Sequence, residues 1–172
     1  LSAQQIVADV GDAIHTYDLT GEQAVDVLVT VAATSWLAGM TQAVGAEIAT
    51  LVTNHQVTVA EAIACLHETA SSGWLMTNQV VEIIAAAGQA NEELLAPGGT
   101  EIARLIGPNS WGFNTAVSQI GQLVNAHTLS VDHAVELLMG MAGTGMESLI
   151  ANQFGSFLAN RLITAAQIMT DI

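Results

Sequence analysis

Lysine is missing altogether from this chain of 172 residues, and only Arg104 and Arg161 oppose its 16 aspartates and glutamates. A formal charge of −14 repels a phosphate backbone, and two arginines cannot build the basic stripe that nucleic-acid binding needs. The same imbalance disfavours an anionic membrane surface. It also keeps an apolar protein in solution, which is its most ordinary use. A single cysteine, Cys65, excludes an internal disulfide and a multi-cysteine zinc site. Aromatic residues make up only 4% of the chain, so Trp36, Trp74 and Trp111 stand out.

Known catalytic signatures are missing as well. There is no glycine-rich phosphate loop with a lysine, no nucleophile elbow and no His-Glu-x-x-His zinc motif. His67-Glu68 and Asp132-His133 are isolated pairs, and His133 with Glu136 offers a three-residue helical spacing once, in reversed order. A carboxylate-bridged di-metal bundle needs several Glu-x-x-His units on facing helices. The residues therefore imply no catalytic site, no cofactor and no metal.

What the chain does have is apolar surface and a repeat. Hydrophobic residues reach 51% against 10% charged, where about 25% charged is usual, so disorder is excluded. Leu19-Thr20-Gly21-Glu22-Gln23-Ala24-Val25-Asp26-Val27-Leu28 returns from Leu75 to Ile84 and again from Leu129 to Leu138. Looser copies open at Leu1, Val57, Trp111 and Ile163, at intervals of 56, 54 and 52 residues. Each copy is a helix start followed by an amphipathic helix.

The stripes repeat in register. First helices carry Ile6, Val7, Val10 and Ile14, then Ala62, Ile63, Leu66 and Ala70, then Ala116, Val117, Ile120 and Val124. Second helices carry Val25 and Leu28, Val81 and Ile84, Val135 and Leu138, with Asp26, Glu82 or Glu136 between them, expected to point to water. Third helices end in Gly45–Val52, Gly99–Ile106 and Gly155–Leu162.

Ser2, Thr20, Thr58 and Thr164 each precede a Gln or Glu by three residues, the spacing of a capping box; Ser130 is a plain cap, and Thr77 is expected to replace Met76. Pro97-Gly98-Gly99 is expected to interrupt the second unit, leaving a short helical piece over Asn91–Leu95 and a restart at Thr100.

The predicted fold is all-α: tandem three-helix repeats stacked as a short right-handed α-solenoid, with a closed multi-helix bundle as the alternative. Its units are 1–56, 57–110 and 111–162, and 163–172 begins a fourth. Three helices per unit match the armadillo arrangement in count but not in sequence signature. The uncharged window Val27–Ala46 has spanning length, yet its hydroxyls and an expected break at Thr34-Ser35 read as two buried helices rather than a membrane span. The Ala/Ile/Thr-rich units resemble tandem helical-repeat segments of large proteins secreted by plant-associated bacteria. The resemblance implies a fragment of a longer secreted protein, the alternative address being cytoplasmic.

The function expected is a non-catalytic scaffold or protein-interaction module. Its partner would be a basic or neutral protein, met by Asp26, Glu82, Glu136, Trp74 and Trp111. The weight of the aromatics, however, leans toward staples packed between helices. Cys65 aligns with polar residues and is expected on the outer face, so self-association through it or through repeat faces is open. The alternative function is a carrier whose apolar cavity, bearing Met139, Met141 and Met146, holds a hydrophobic small molecule.

Overall fold

The computed structural model describes residues 2–143, 145–160 and 162. Among them are nine α-helices and no strand: α1 (Ala3–Thr16), α2 (Gly21–Thr34), α3 (Met40–Thr53), α4 (Val59–Ser71), α5 (Thr77–Ala90), α6 (Leu95–Ile106), α7 (Ser110–Asn125), α8 (Val131–Gly140) and α9 (Glu147–Ala159). A 3₁₀ turn, Glu92–Leu94, precedes α6. The all-α expectation holds. The expected fourth start, including the Thr164 cap, lies outside the described residues.

Caps set most helix starts where the sequence puts them. The hydroxyls of Thr20 and Thr58 each accept from the backbone amide three residues on, and their own amides donate back to Gln23 Oε1 and Glu61 Oε2. Ser2 and Ser130 accept from the amides of Gln5 and His133. Thr77, expected to cap α5, is instead its first residue: Met76 is the cap position, and its amide donates to Gln79 Oε1. Asn109 supplies a cap the sequence reading passed over, accepting from the amides of Trp111 and Gly112.

Pro97-Gly98-Gly99 does not interrupt a helix. Pro97 is the third residue of α6, inside the first turn, where no amide needs an intrahelical partner, so the ring costs nothing there. The glycines are there for contact. A Cβ on Gly98 would lie 2.3 Å from Ile84 Cγ2, and one on Gly99 would lie 2.2 Å from the Leu137 carbonyl oxygen. The third copy also ends early, at Ala159 rather than Leu162.

The helices pack in a regular order. Odd-numbered helices meet odd (α1 with α3, α3 with α5, α5 with α7, α7 with α9), and even meet even (α2 with α4, α4 with α6, α6 with α8). The two most extensive contacts, α3 with α5 and α6 with α8, join the third helix of one unit to the second helix of the next. They are built alike. Gly45 faces the Ile83 carbonyl as Gly99 faces that of Leu137, and a Cβ at either position would be too close.

Val25, Leu28, Val81, Ile84, Val135 and Leu138 are all fully buried in one continuous core, so the second-helix stripes lie where their spacing puts them. Among the described residues no helix is long and apolar enough to cross a membrane. The break expected at Thr34-Ser35 ends α2.

Candidate functional site: the tryptophan edge

Successive helices are joined by short loops, and the even-to-odd loops carry the tryptophans. Trp36 lies between α2 and α3, Trp74 between α4 and α5, and Trp111 in the first turn of α7 just beyond α6. They are not staples between helices: Trp36 is 93% exposed, Trp74 66% and Trp111 76%. Trp36 and Trp74 share a groove with Ala33, Met76 and Gln79. The next groove, between α4, α5 and the end of α6, is lined by Ser71, Thr77 and Leu105. An exposed indole carries an apolar cost in water that a partner would remove.

Beside Trp74 runs a groove of 260 Å³ between α2 and α4, lined by Asp26, Thr30, Ala33, Glu68, Thr69 and Trp74. Two of the residues singled out from sequence, Asp26 and Trp74, therefore meet here, and Glu68 joins them. A carboxylate pair next to an indole face suits a lysine or arginine side chain, held by charge and by cation–π attraction.

The other acidic positions behave differently. Glu82, expected to point to water, is half-buried, with Thr41 donating to Oε2 at 2.6 Å and Gln119 to Oε1 at 2.9 Å, so it ties α3, α5 and α7 together. Glu136 is exposed and lines a separate groove of 600 Å³ with Glu92, Asp132, His133 and Met139. His133 takes Glu92, not Glu136, as its neighbour, with Nε2 3.3 Å from Glu92 Oε1. Among the described residues no His, Cys, Asp and Glu group of three has the closeness a metal needs.

Cys65 is buried rather than on the outer face, and its thiol donates to the Glu22 carbonyl at 3.8 Å. Burial, reinforced by the Asp26 carboxylate, pushes the thiol up to about 12. A thiol so held is a poor nucleophile and a poor candidate for cross-linking two chains.

One polar line has the connectivity of a nucleophile relay, and the sequence reading missed it. Ser71 Oγ lies 3.1 Å from His67 Nε2, and His67 Nδ1 lies 2.7 Å from Oε1 of the buried Glu101. Arg104 Nε donates to Glu101 Oε2 at 2.9 Å. The carboxylate can only accept, so His67 carries its proton on Nδ1 and a neutral ring accepts from Ser71 at Nε2.

Two features oppose catalysis. Ser71 is the last residue of α4, where the helix carbonyls disfavour a developing oxyanion. Arg104 already neutralises the carboxylate that would steady an imidazolium. In the neighbouring units the equivalent α1–α3 and α7–α9 positions are Gly11 with Glu47 and Gly121 with Phe157, so this place in each unit joins the first helix to the third.

Comparison of the chain with protein-family models, with curated proteins and with solved structures finds no match in any of the three.

Proposed function

We propose that the chain is a non-catalytic interaction module, a short α-solenoid of three-helix units that offers its tryptophan edge to a basic segment of a protein partner. The carrying observation is the exposure of all three tryptophans in a protein with so few aromatics. A lysine or arginine would sit between Asp26, Glu68 and Trp74, and an apolar side chain would enter beside Trp36 and Met76. Net charge of −14 steers such a partner in. The open stacking is supported by contacts that run from each helix to the second one along. The carrier reading has less behind it, since the 600 Å³ groove beside Met139 is lined largely by carboxylates and a histidine.

The test is a titration with a short peptide alternating arginine and leucine, followed by tryptophan fluorescence. Binding should weaken with salt, and Trp74→Ala should reduce it about tenfold or more, the scale of a hot-spot residue. Equal binding by wild type and by the Trp36→Ala/Trp74→Ala double variant would remove the edge from consideration. Ester hydrolysis lost in Ser71→Ala would overturn the non-catalytic reading.

A further inference from the structure

Two grooves meet at Trp74, and they differ in what they offer. Between α2 and α4 lies the groove of Asp26 and Glu68; toward the start of α5 lies one of 160 Å³ lined by Ala33, Ser35, Trp36, Trp74, Met76 and Gln79. The acceptors of this second groove are already engaged. Ser35 Oγ accepts from the Leu37 amide at 3.2 Å, and Gln79 Oε1 accepts from the Met76 amide at 2.9 Å. The Gln79 side-chain amide donates to the Ala32 carbonyl at 3.2 Å. What is left for a ligand is the two exposed indole faces, the Met76 side chain and the indole N–H groups, which have no partner among the described residues.

A ligand suited to this groove brings acceptors and ring or methylene surface, but few donors. An extended strand does not qualify: each of its residues carries an N–H as well as a carbonyl, and the described residues hold no strand edge for it to join. A helix spends its carbonyls internally and needs one continuous apolar groove for successive anchors, whereas Trp74 divides this surface in two. A polyproline II segment meets both demands, because proline has no N–H and the carbonyls of that helix have no internal partner.

We infer that the basic segment recognised at this edge is a polyproline II stretch, with a proline in the Trp36–Trp74 groove and an arginine three residues away in the groove of Asp26 and Glu68. This rests on the proposed interaction at the tryptophan edge and names its ligand. Three residues make one turn of that helix, so both side chains leave on the same face, ~9 Å apart, and straddle the indole the two grooves share. Arginine suits the acidic groove better than lysine. Its planar guanidinium stacks on an indole and presents a fork to carboxylates arriving from two helices, Asp26 on α2 and Glu68 on α4.

The test compares three synthetic peptides on the whole chain by tryptophan fluorescence: a polyproline peptide with a single arginine, the same peptide with alanine for every proline, and the peptide alternating arginine and leucine. The first should bind at least about tenfold more tightly than the second, because its backbone is ordered before binding. Changing to alanine only the prolines three residues from the arginine should remove most of that difference, and changing those two residues away should remove little. Lysine in place of arginine should weaken binding, and Asp26→Asn with Glu68→Gln should abolish that preference. Trp36 is almost fully exposed, so Trp36→Ala should stay folded by circular dichroism and weaken the polyproline peptide about tenfold.

Equal binding of the proline and alanine peptides overturns the inference, as does a polyproline peptide that fails to bind. If the arginine–leucine peptide still binds in a Trp74-dependent way, the basic-partner reading survives that failure. If none of the three peptides binds, both fall.

Discussion

Adding one methyl group at three equivalent glycines should give two losses of stability and one gain. In Gly45→Ala the new carbon would lie 2.4 Å from the Ile83 carbonyl oxygen and 2.8 Å from Ala86 Cβ. In Gly99→Ala it would lie 2.2 Å from the Leu137 carbonyl oxygen and 2.9 Å from Gly140 Cα. Both obstacles include backbone, which cannot swing aside like the end of a side chain, so the helices must separate. Overpacking of this kind costs ~1–3 kcal/mol, against a gain of about 0.8–1 kcal/mol from replacing glycine with alanine within a helix. Those two ranges leave a net loss of roughly 0–2 kcal/mol at each site, and the backbone obstacles put both toward its upper end.

Gly155→Ala meets nothing within 4 Å among the described residues and keeps the propensity gain alone. At ~2–4 °C per kcal/mol for a chain of this size, the first two variants should melt several degrees lower and the third a few degrees higher. Urea unfolding followed by far-ultraviolet circular dichroism gives the three values on one scale. A loss at position 155 equal to that at 45, or a gain at 99, would refute the packing argument.

Cys65 should resist alkylation in the folded protein at about pH 8.5, where a free thiol is half ionised, and react at once in denaturant; equal rates would contradict its burial and its raised value of about 12. Hydrogen bonds from the Thr58 hydroxyl and amide hold Glu61 below the usual carboxylate value of 4.5, and its own backbone amide, with those of Gly145 and Gly143, does the same for Glu147. Stability from both is therefore complete above 4.5 and is lost as the pH falls further, so Glu61→Gln should flatten the acid limb of a urea-midpoint profile, and an unchanged limb would remove the cap from the account. Glu101→Leu removes the buried member of the cluster while His67 and Arg104 keep access to water, so it should cost less than the ~3–5 kcal/mol of an ion left buried without its partner. His67→Ala, which strips a charge-assisted bond from a carboxylate left buried, should cost ~1.5–3 kcal/mol. His127 follows the end of α7 with a positive φ of 58°, so His127→Gly should raise the melting temperature slightly, because left-handed backbone costs a residue with a Cβ ~1–2 kcal/mol.

Helix number and helix starts were legible because their causes are local. Thr20 with Gln23 and Thr58 with Glu61 announce a helix within four residues, and the stripes through Val25 and Leu28 or Val81 and Ile84 name the buried face without reference to partners. What depends on the neighbour across the seam was harder to read. Pro97-Gly98-Gly99 looks like a stop signal until α5 and α8 are placed against it. Cys65 aligns with polar residues, yet α2 covers it; Glu82 follows the acidic pattern, yet Thr41 and Gln119 claim both its oxygens.

The candidate site shows the same division. Asp26 and Trp74 could be singled out from sequence, but their shared groove with Glu68, and the separate groove that Trp36 shares with Trp74, depend on how the helices lie side by side. The four-residue spacing of His67 and Ser71 sets them side by side on α4, but nothing in the sequence marks Glu101 as their neighbour, because it comes from α6.

Three is an odd number, and the packing order makes that matter. Contacts link α1, α3, α5, α7 and α9 on one hand and α2, α4, α6 and α8 on the other, so a unit that begins in one series is followed by a unit that begins in the other. In the proposed solenoid, matching side chains from adjacent units would look out from opposite sides of the molecule, and a feature inherited by every unit would reappear on the same side only at alternate units. A ligand reading one flank would sense a pitch twice that written in the amino-acid sequence, and duplication of a single unit would turn over the chemistry of every flank beyond it.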